Sequence, residues 1–127
     1  MRIDHIAIWV KNLDKMVDFY CNYLNGSASN IYRNPKKGFT SQFISFTGGA
    51  RLELMHTVNL NEQHRLEFGQ GLTHIAFSVG SKEMVDNLTN ELRANGNTIF
   101  SEPRTTGDGY YESVVLDPEG NYIEITI

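Results

Sequence analysis

Asp4-His5-Ile6-Ala7-Ile8-Trp9-Val10 returns further along the chain as Thr73-His74-Ile75-Ala76-Phe77-Ser78-Val79, its histidine 69 residues on. Strict alternation over so few residues marks a half-buried strand, with Ile6, Ile8 and Val10 on one face and the histidine and alanine on the other. The residues after each copy repeat as well. After the first, Asn12 or Asp14 can cap a helix whose apolar stripe is Leu13, Met16, Val17, Tyr20 and Leu24, ended by Asn25-Gly26. After the second, Ser81 can cap a helix with the stripe Met84, Val85, Leu88 and Leu92, ended by Asn95-Gly96. Strand-like segments then lie around residues 29–32, 41–47 and 51–56, and again around 98–101, 112–117 and 122–127. Gly48-Gly49 and Asp117-Pro118-Glu119-Gly120-Asn121 read as hairpin turns.

Each half therefore reads strand, helix, three strands, and duplication is the simplest account. The closing strands carry a second repeat, Leu52-Glu53-Leu54 and Ile123-Glu124-Ile125, in which a carboxylate interrupts an aliphatic row. From His5 to Glu53 is 48 residues and from His74 to Glu124 is 50, so the two half-sites nearly superimpose in sequence. A chain of 127 residues suits one domain. Within it, module one spans about 1–57, a polar and aperiodic linker about 58–71, and module two about 72–127. The linker is long enough to serve as a lid.

Composition narrows the function classes. Eleven Lys plus Arg against fifteen Asp plus Glu leave a formal charge of -4, which disfavours nucleic acid and anionic lipid as partners. A lone Cys21 forms no intrachain disulfide, and no apolar run approaches the ~18 residues of a membrane span. The start runs straight into strand-like alternation without a leader pattern, so a soluble, cytoplasmic protein is expected.

His5, Glu53, His74 and Glu124 each sit on the strand face opposite the aliphatic row. If the halves pair about a pseudo-twofold axis, two imidazoles and two carboxylates make an N2O2 set for a divalent first-row ion. On a six-coordinate ion two positions then remain for water or substrate oxygens, a catalytic layout. His56 and His64 have no counterpart in the other half and are expected at the surface.

On HIAIWV, LEL, THIAFSV and the terminal GYYESVVLDPEGNYIEI, the whole chain resembles the vicinal oxygen chelate superfamily. Its members include glyoxalase I, extradiol dioxygenases, methylmalonyl-CoA epimerase, fosfomycin-modifying transferases and bleomycin-binding proteins. The resemblance implies an α+β fold: two paired βαβββ modules forming a cupped, barrel-like mixed β-sheet, with the helices outside. It implies one divalent ion per site, Zn or Ni ahead of Co, Mn or Fe, held by His5, Glu53, His74 and Glu124. The His, Glu, His, Glu set is that of glyoxalase I; epimerases typically have Gln at the place of Glu53, and extradiol dioxygenases use two His and one Glu.

The activity so implied is that of a glyoxalase-like lyase or isomerase, of lactoylglutathione lyase type. It would transfer a proton through a metal-bound enediolate on a small hydroxy-carbonyl compound or its thiol adduct. Glu124 is the implied base and Glu53 its counterpart. Glyoxalase I enzymes usually carry an Arg four positions after the first His; here stands Trp9, whose indole offers apolar area and one donor but no charge. Trp9, Arg51 and Tyr110 are taken as substrate-binding residues, with Arg33, Lys36, Lys37 and Arg104 as further cations for an anionic group. The stretch 104–111, with two glycines and two tyrosines, suits either a substrate-covering loop or a plain turn. Two other readings stay open: a bleomycin-resistance-type protein that binds a small molecule without turnover, and an Fe(II) extradiol dioxygenase using His5, His74 and Glu124. By analogy the superfamily implies a homodimer, with the site formed within one chain or across two.

Overall fold

The computed structural model describes residues 1–61 and 69–127; His64 and the middle of the expected linker lie outside the described residues. The chain divides into two compact units, Met1–Glu67 and Phe68–Ile127.

The first unit runs β1 (His5–Trp9), α1 (Leu13–Tyr23), β2 (Ser27–Ala28), β3 (Tyr32–Asn34), a 3-10 turn (Pro35–Lys37), β4 (Phe39–Ser45) and β5 (Arg51–Thr57). Its sheet has the order β1-β5-β4-β2, with β3 also paired to β4; β1 and β5 are parallel and the other pairs antiparallel. The second unit runs β6 (His74–Ser78), α2 (Lys82–Ala94), β7 (Ile99–Thr105), β8 (Tyr111–Leu116) and β9 (Tyr122–Thr126). Its sheet has the order β6-β9-β8-β7, again with only the first and last strands of the unit parallel. Among the described residues each unit is thus an α+β module in which an α-helix packs on a mixed sheet.

Both helices start where the capping residues predict. The Asn12 side chain accepts from the Lys15 amide at 3.0 Å, and that of Ser81 from the Met84 amide at 3.2 Å. Helix α1 packs on β4 and β5 through Leu13, Met16, Phe19 and Tyr20, while α2 packs on β7, β8 and β9 through Val85, Thr89 and Leu92. Each large apolar side chain so buried contributes about 1.5–3 kcal/mol. The stripes differ from expectation at several places. Val17 and Leu88 are half-buried and Met84 is exposed, whereas Phe19 and Thr89 are buried. Thr89 tolerates its place because its hydroxyl is bonded inside the core, donating to the Val85 carbonyl at 2.6 Å and lying 2.7 Å from Ser113 Oγ.

Two strands also depart from the reading. The segment expected at 29–32 falls on the break between β2 and β3. There Ser29 replaces part of the ladder with its side chain: the Phe43 amide donates to Ser29 Oγ at 3.1 Å, and Gln42 Nε2 donates to the Ser29 carbonyl at 2.6 Å. In the second unit β7 continues through Pro103, which has no amide hydrogen to give the ladder. Register shifts between Ile99 and Ser101 and between Ser101 and Arg104 absorb the missing donor, and β7 is an edge strand. The β8–β9 turn is tied by Asp117, whose carboxylate accepts from the amides of Glu119 and Asn121 at 3.0 and 2.9 Å. No described helix is long and apolar enough to cross a membrane.

Candidate metal and substrate site

The same strand register builds one histidine–glutamate pair in each module. In the first, His5 lies opposite Arg51 and Ala7 opposite Glu53; in the second, His74 lies opposite Tyr122 and Ala76 opposite Glu124. Parallel pairing with this register sets each carboxylate on the diagonal from its histidine, on one face of the sheet. The alanine beside each Glu leaves room for the carboxylate. Leu52, Leu54, Ile123 and Ile125, the sequence neighbours of the two glutamates, are fully or almost fully buried on the opposite, helix-covered face. The glutamate side chains are themselves only 17% and 16% exposed, while their partner histidines are 40% and 44% exposed.

His5 Nε2 stands 3.8 Å from Glu53 Oε2, and His74 Nε2 stands 3.4 Å from Glu124 Oε2. These separations exceed a hydrogen bond. Two donors on one ion at about 2.0–2.1 Å stand roughly 3.0–3.4 Å apart at octahedral or tetrahedral angles, so each pair fits as half of a metal's ligand set with little side-chain rotation. Among the described residues no three His, Cys, Asp or Glu side chains form a metal-binding group; the donors occur as pairs, one to a module.

Around the pairs the modules differ. In the first, Asp4 Oδ2 lies 2.9 Å from His5 Nδ1 and accepts from Arg51 Nη2 at 2.5 Å. The hydrogen bond from His5, and then that from Arg51, hold the Asp4 carboxyl below the usual carboxylate range. The Arg51 guanidinium lies over the Phe43 ring, 4.4 Å from its centroid, and the His5 ring meets Phe43 edge-on at 5.4 Å. At the equivalent places the second module has Thr73 and Tyr122. There the addition is a second carboxylate, Glu112 on β8, which is hydrogen-bonded to Glu124 and lies 3.7 Å from the Arg104 guanidinium. Burial, then the negative charge of Glu124 and the bond to it, push the Glu112 carboxyl up.

Neither Asp4 nor Glu112 was a candidate from sequence, although each left a signal. Asp4 directly precedes His5, and Glu112 shares the strand parity of Val114, which pairs with Glu124. Trp9 is on the His5 face, 51% exposed, with its ring edge-on to Phe39 at 6.1 Å; Phe39 in turn meets Tyr32 at 6.2 Å, making an uncharged aromatic row beside the pair. Arg51 is engaged with Asp4, and Arg104 with Glu112 and Ser101. Lys36 and Lys37 stand on the 3-10 turn and Arg33 on β3. Tyr110 is exposed and ends the β7–β8 hairpin connection, where its carbonyl accepts from the Thr106 amide at 2.8 Å; the geometry is that of a turn. His56, expected at the surface, is half-buried instead. It shares the parity of Leu52 and Leu54 on the helix side of β5, and its Nδ1 lies 2.9 Å from the Val10 carbonyl.

A family model described as Glyoxalase/Bleomycin resistance protein/Dioxygenase superfamily matches residues 2–125. The chain belongs to this superfamily. Among superfamily members, a protein of Synechocystis sp. described as "Probable lactoylglutathione lyase" is 29% identical over 125 residues, covering 95% of this chain and 91% of its own. The solved structure of the trypanothione-dependent glyoxalase I of Leishmania major superposes with a TM-score of 0.80 at 25% identity, over 99% of this chain and 86% of that one. Glyoxalase I of Zea mays shares the fold with a TM-score of 0.82 at 21% identity; it covers 98% of this chain, which spans only 44% of the maize chain.

Proposed function

We propose that this superfamily member is a metal-dependent lyase or isomerase of glyoxalase I type. Its substrate is a small hydroxy-carbonyl compound, free or as a thiol adduct. The observation that carries this reading is the histidine–glutamate pair repeated in the same strand register in both modules. His5, Glu53, His74 and Glu124 would together supply an N2O2 set, whether within one chain or across a homodimer. A divalent ion held there, Zn or Ni before Co, Mn or Fe, would polarise adjacent substrate oxygens and acidify the C–H bond between them. Glu124 takes the α proton and returns it to the neighbouring carbon, with Glu53 as its counterpart. Glu112, hydrogen-bonded to Glu124, limits the rotamers open to the base. The low exposure of both glutamates keeps bulk water from competing for the proton. The uncharged row of Trp9, Phe39 and Tyr32 favours an apolar substrate group beside His5 over a free carboxylate.

The test pairs elemental mass spectrometry on wild type, His5→Ala and Glu124→Ala with deuterium exchange of α protons monitored by NMR. Bound divalent metal that both variants lose, together with exchange into hydroxy-ketones or their thiol adducts, is expected. A wild-type protein that takes up no divalent ion would end the proposal. Retained small-molecule affinity in that protein would leave the aromatic row as a binding site without turnover.

A further inference from the structure

We infer that Asp4 and Arg51 are positioning residues that lock His5 in the tautomer with its hydrogen on Nδ1 and its free lone pair on Nε2, facing Glu53. The inference deepens the proposed function and rests on it for the purpose of the lock, but not for the lock itself.

A neutral imidazole has one N–H and one lone pair, and the bond made by one nitrogen decides the role of the other. Asp4 Oδ2, an acceptor, lies 2.9 Å from His5 Nδ1, so the hydrogen resides there. Arg51 keeps the carboxylate in place in two ways. Its Nη2 donates to the same Oδ2 at 2.5 Å, and its main-chain amide donates to the Asp4 carbonyl at 3.0 Å, extending the β1–β5 ladder by one rung. Arg51 is in turn held over Phe43, whose ring also meets the edge of His5. Asp4, His5, Phe43 and Arg51 thus fix both the tautomer and the plane of the imidazole, leaving Nε2 3.8 Å from Glu53 Oε2. Outer carboxylates that orient a ligating histidine typically change metal affinity by ~10–100-fold when removed. The second module has Thr73 and Tyr122 at these positions, so the device belongs to one half of the duplication.

The Asp4 and Arg51 side chains are 54% and 42% exposed, and an ion pair so open to water adds little to stability, so Asp4→Ala and Arg51→Met are expected to fold. The first readout is the 15N signature of each histidine in metal-free protein at a pH well above ~6.5, where an imidazole is neutral. Wild-type His5 should show hydrogen on Nδ1. In Asp4→Ala it should drift to the mixed tautomers of a free imidazole, in Arg51→Met it should drift part of the way, and Asp4→Asn, which keeps an acceptor, should restore it. His74 serves as the control and should not move. The second readout is competition of the same proteins with a chromophoric chelator for Zn(II) and Ni(II), where Asp4→Ala should bind about 10–100-fold more weakly. A His5 tautomer unmoved in Asp4→Ala and Arg51→Met overturns the inference, as does a tautomer shift with no change in affinity. If wild type binds neither ion, the proposed function fails and the assigned purpose of the lock fails with it, while the NMR result still decides whether the lock exists.

Discussion

Thr89→Val is the perturbation whose cost can be worked most directly from atoms in the core. Thr89 and Ser113 are both fully buried, one on α2 and the other on β8. A hydroxyl has one hydrogen. Thr89 donates its own to the Val85 carbonyl at 2.6 Å, so the 2.7 Å contact with Ser113 is a bond donated by serine. Replacing Thr89 with Val keeps the shape but leaves the Ser113 hydroxyl without its acceptor in the interior, which costs about 1–3 kcal/mol. Ser113→Ala deletes only the donor and leaves Thr89 bonded to Val85, so its cost should be smaller, about 0.5–1.5 kcal/mol. The double variant removes both partners and should lose less than the sum of the two, a coupling of about 1 kcal/mol. Equilibrium unfolding of metal-free protein in urea, with unchanged m-values, measures all three. Strictly additive costs, or a Ser113→Ala variant worse than Thr89→Val, would refute this hydrogen-bond order. The outcome bears on the site, because β8 carries Ser113 on its helix side and Glu112 on the other.

Four further outcomes are expected. The raised Glu112 carboxyl contributes stability that is complete below its ordinary value of 4.5 and is lost as pH climbs through its higher folded value; Glu112→Gln should flatten that loss in metal-free protein, and superimposable pH–stability curves for the two would refute it. Gly26→Ala should destabilise by about 1–3 kcal/mol, because a Cβ there meets the buried Ile44 side chain and the Tyr20 carbonyl oxygen at 2.8 Å. Gly96→Ala should cost about 1–2 kcal/mol for a different reason, since Gly96 sits at φ +81° in open space. Asparagine separates the two causes: it should be milder than alanine at 96 and worse at 26, as read by thermal unfolding. Finally, Glu124→Gln should slow α-proton exchange by about 10²–10⁴-fold and more than Glu53→Gln does; the reverse order would exchange the two roles.

The halves have diverged in a way that matters chemically. Each keeps an imidazole, a carboxylate and a small alanine in one register, while Asp4 bonds the histidine in the first module and Glu112 bonds the glutamate in the second.

Period and punctuation in the chain were enough to determine the module order, the helix cap at Ser81 and the choice of Asn12 or Asp14 for the other, and the two histidine–glutamate pairs, because each depends on near neighbours or on strand parity alone. Parity also placed Trp9 on the His5 face. The same reasoning stopped wherever a residue's fate depended on a partner far along the chain. Thr89 lies in the core because Ser113 is there to bond it, and His56 turns inward because the Val10 carbonyl meets its ring. Pro103 stays within a strand because that strand is an edge and bulges. Asp4 and Arg51 are 47 residues apart and become one support for His5 only when β1 and β5 pair. Local propensity and alternation are written residue by residue; a hydrogen bond across a sheet or between helix and strand exists only once tertiary structure brings its two ends together.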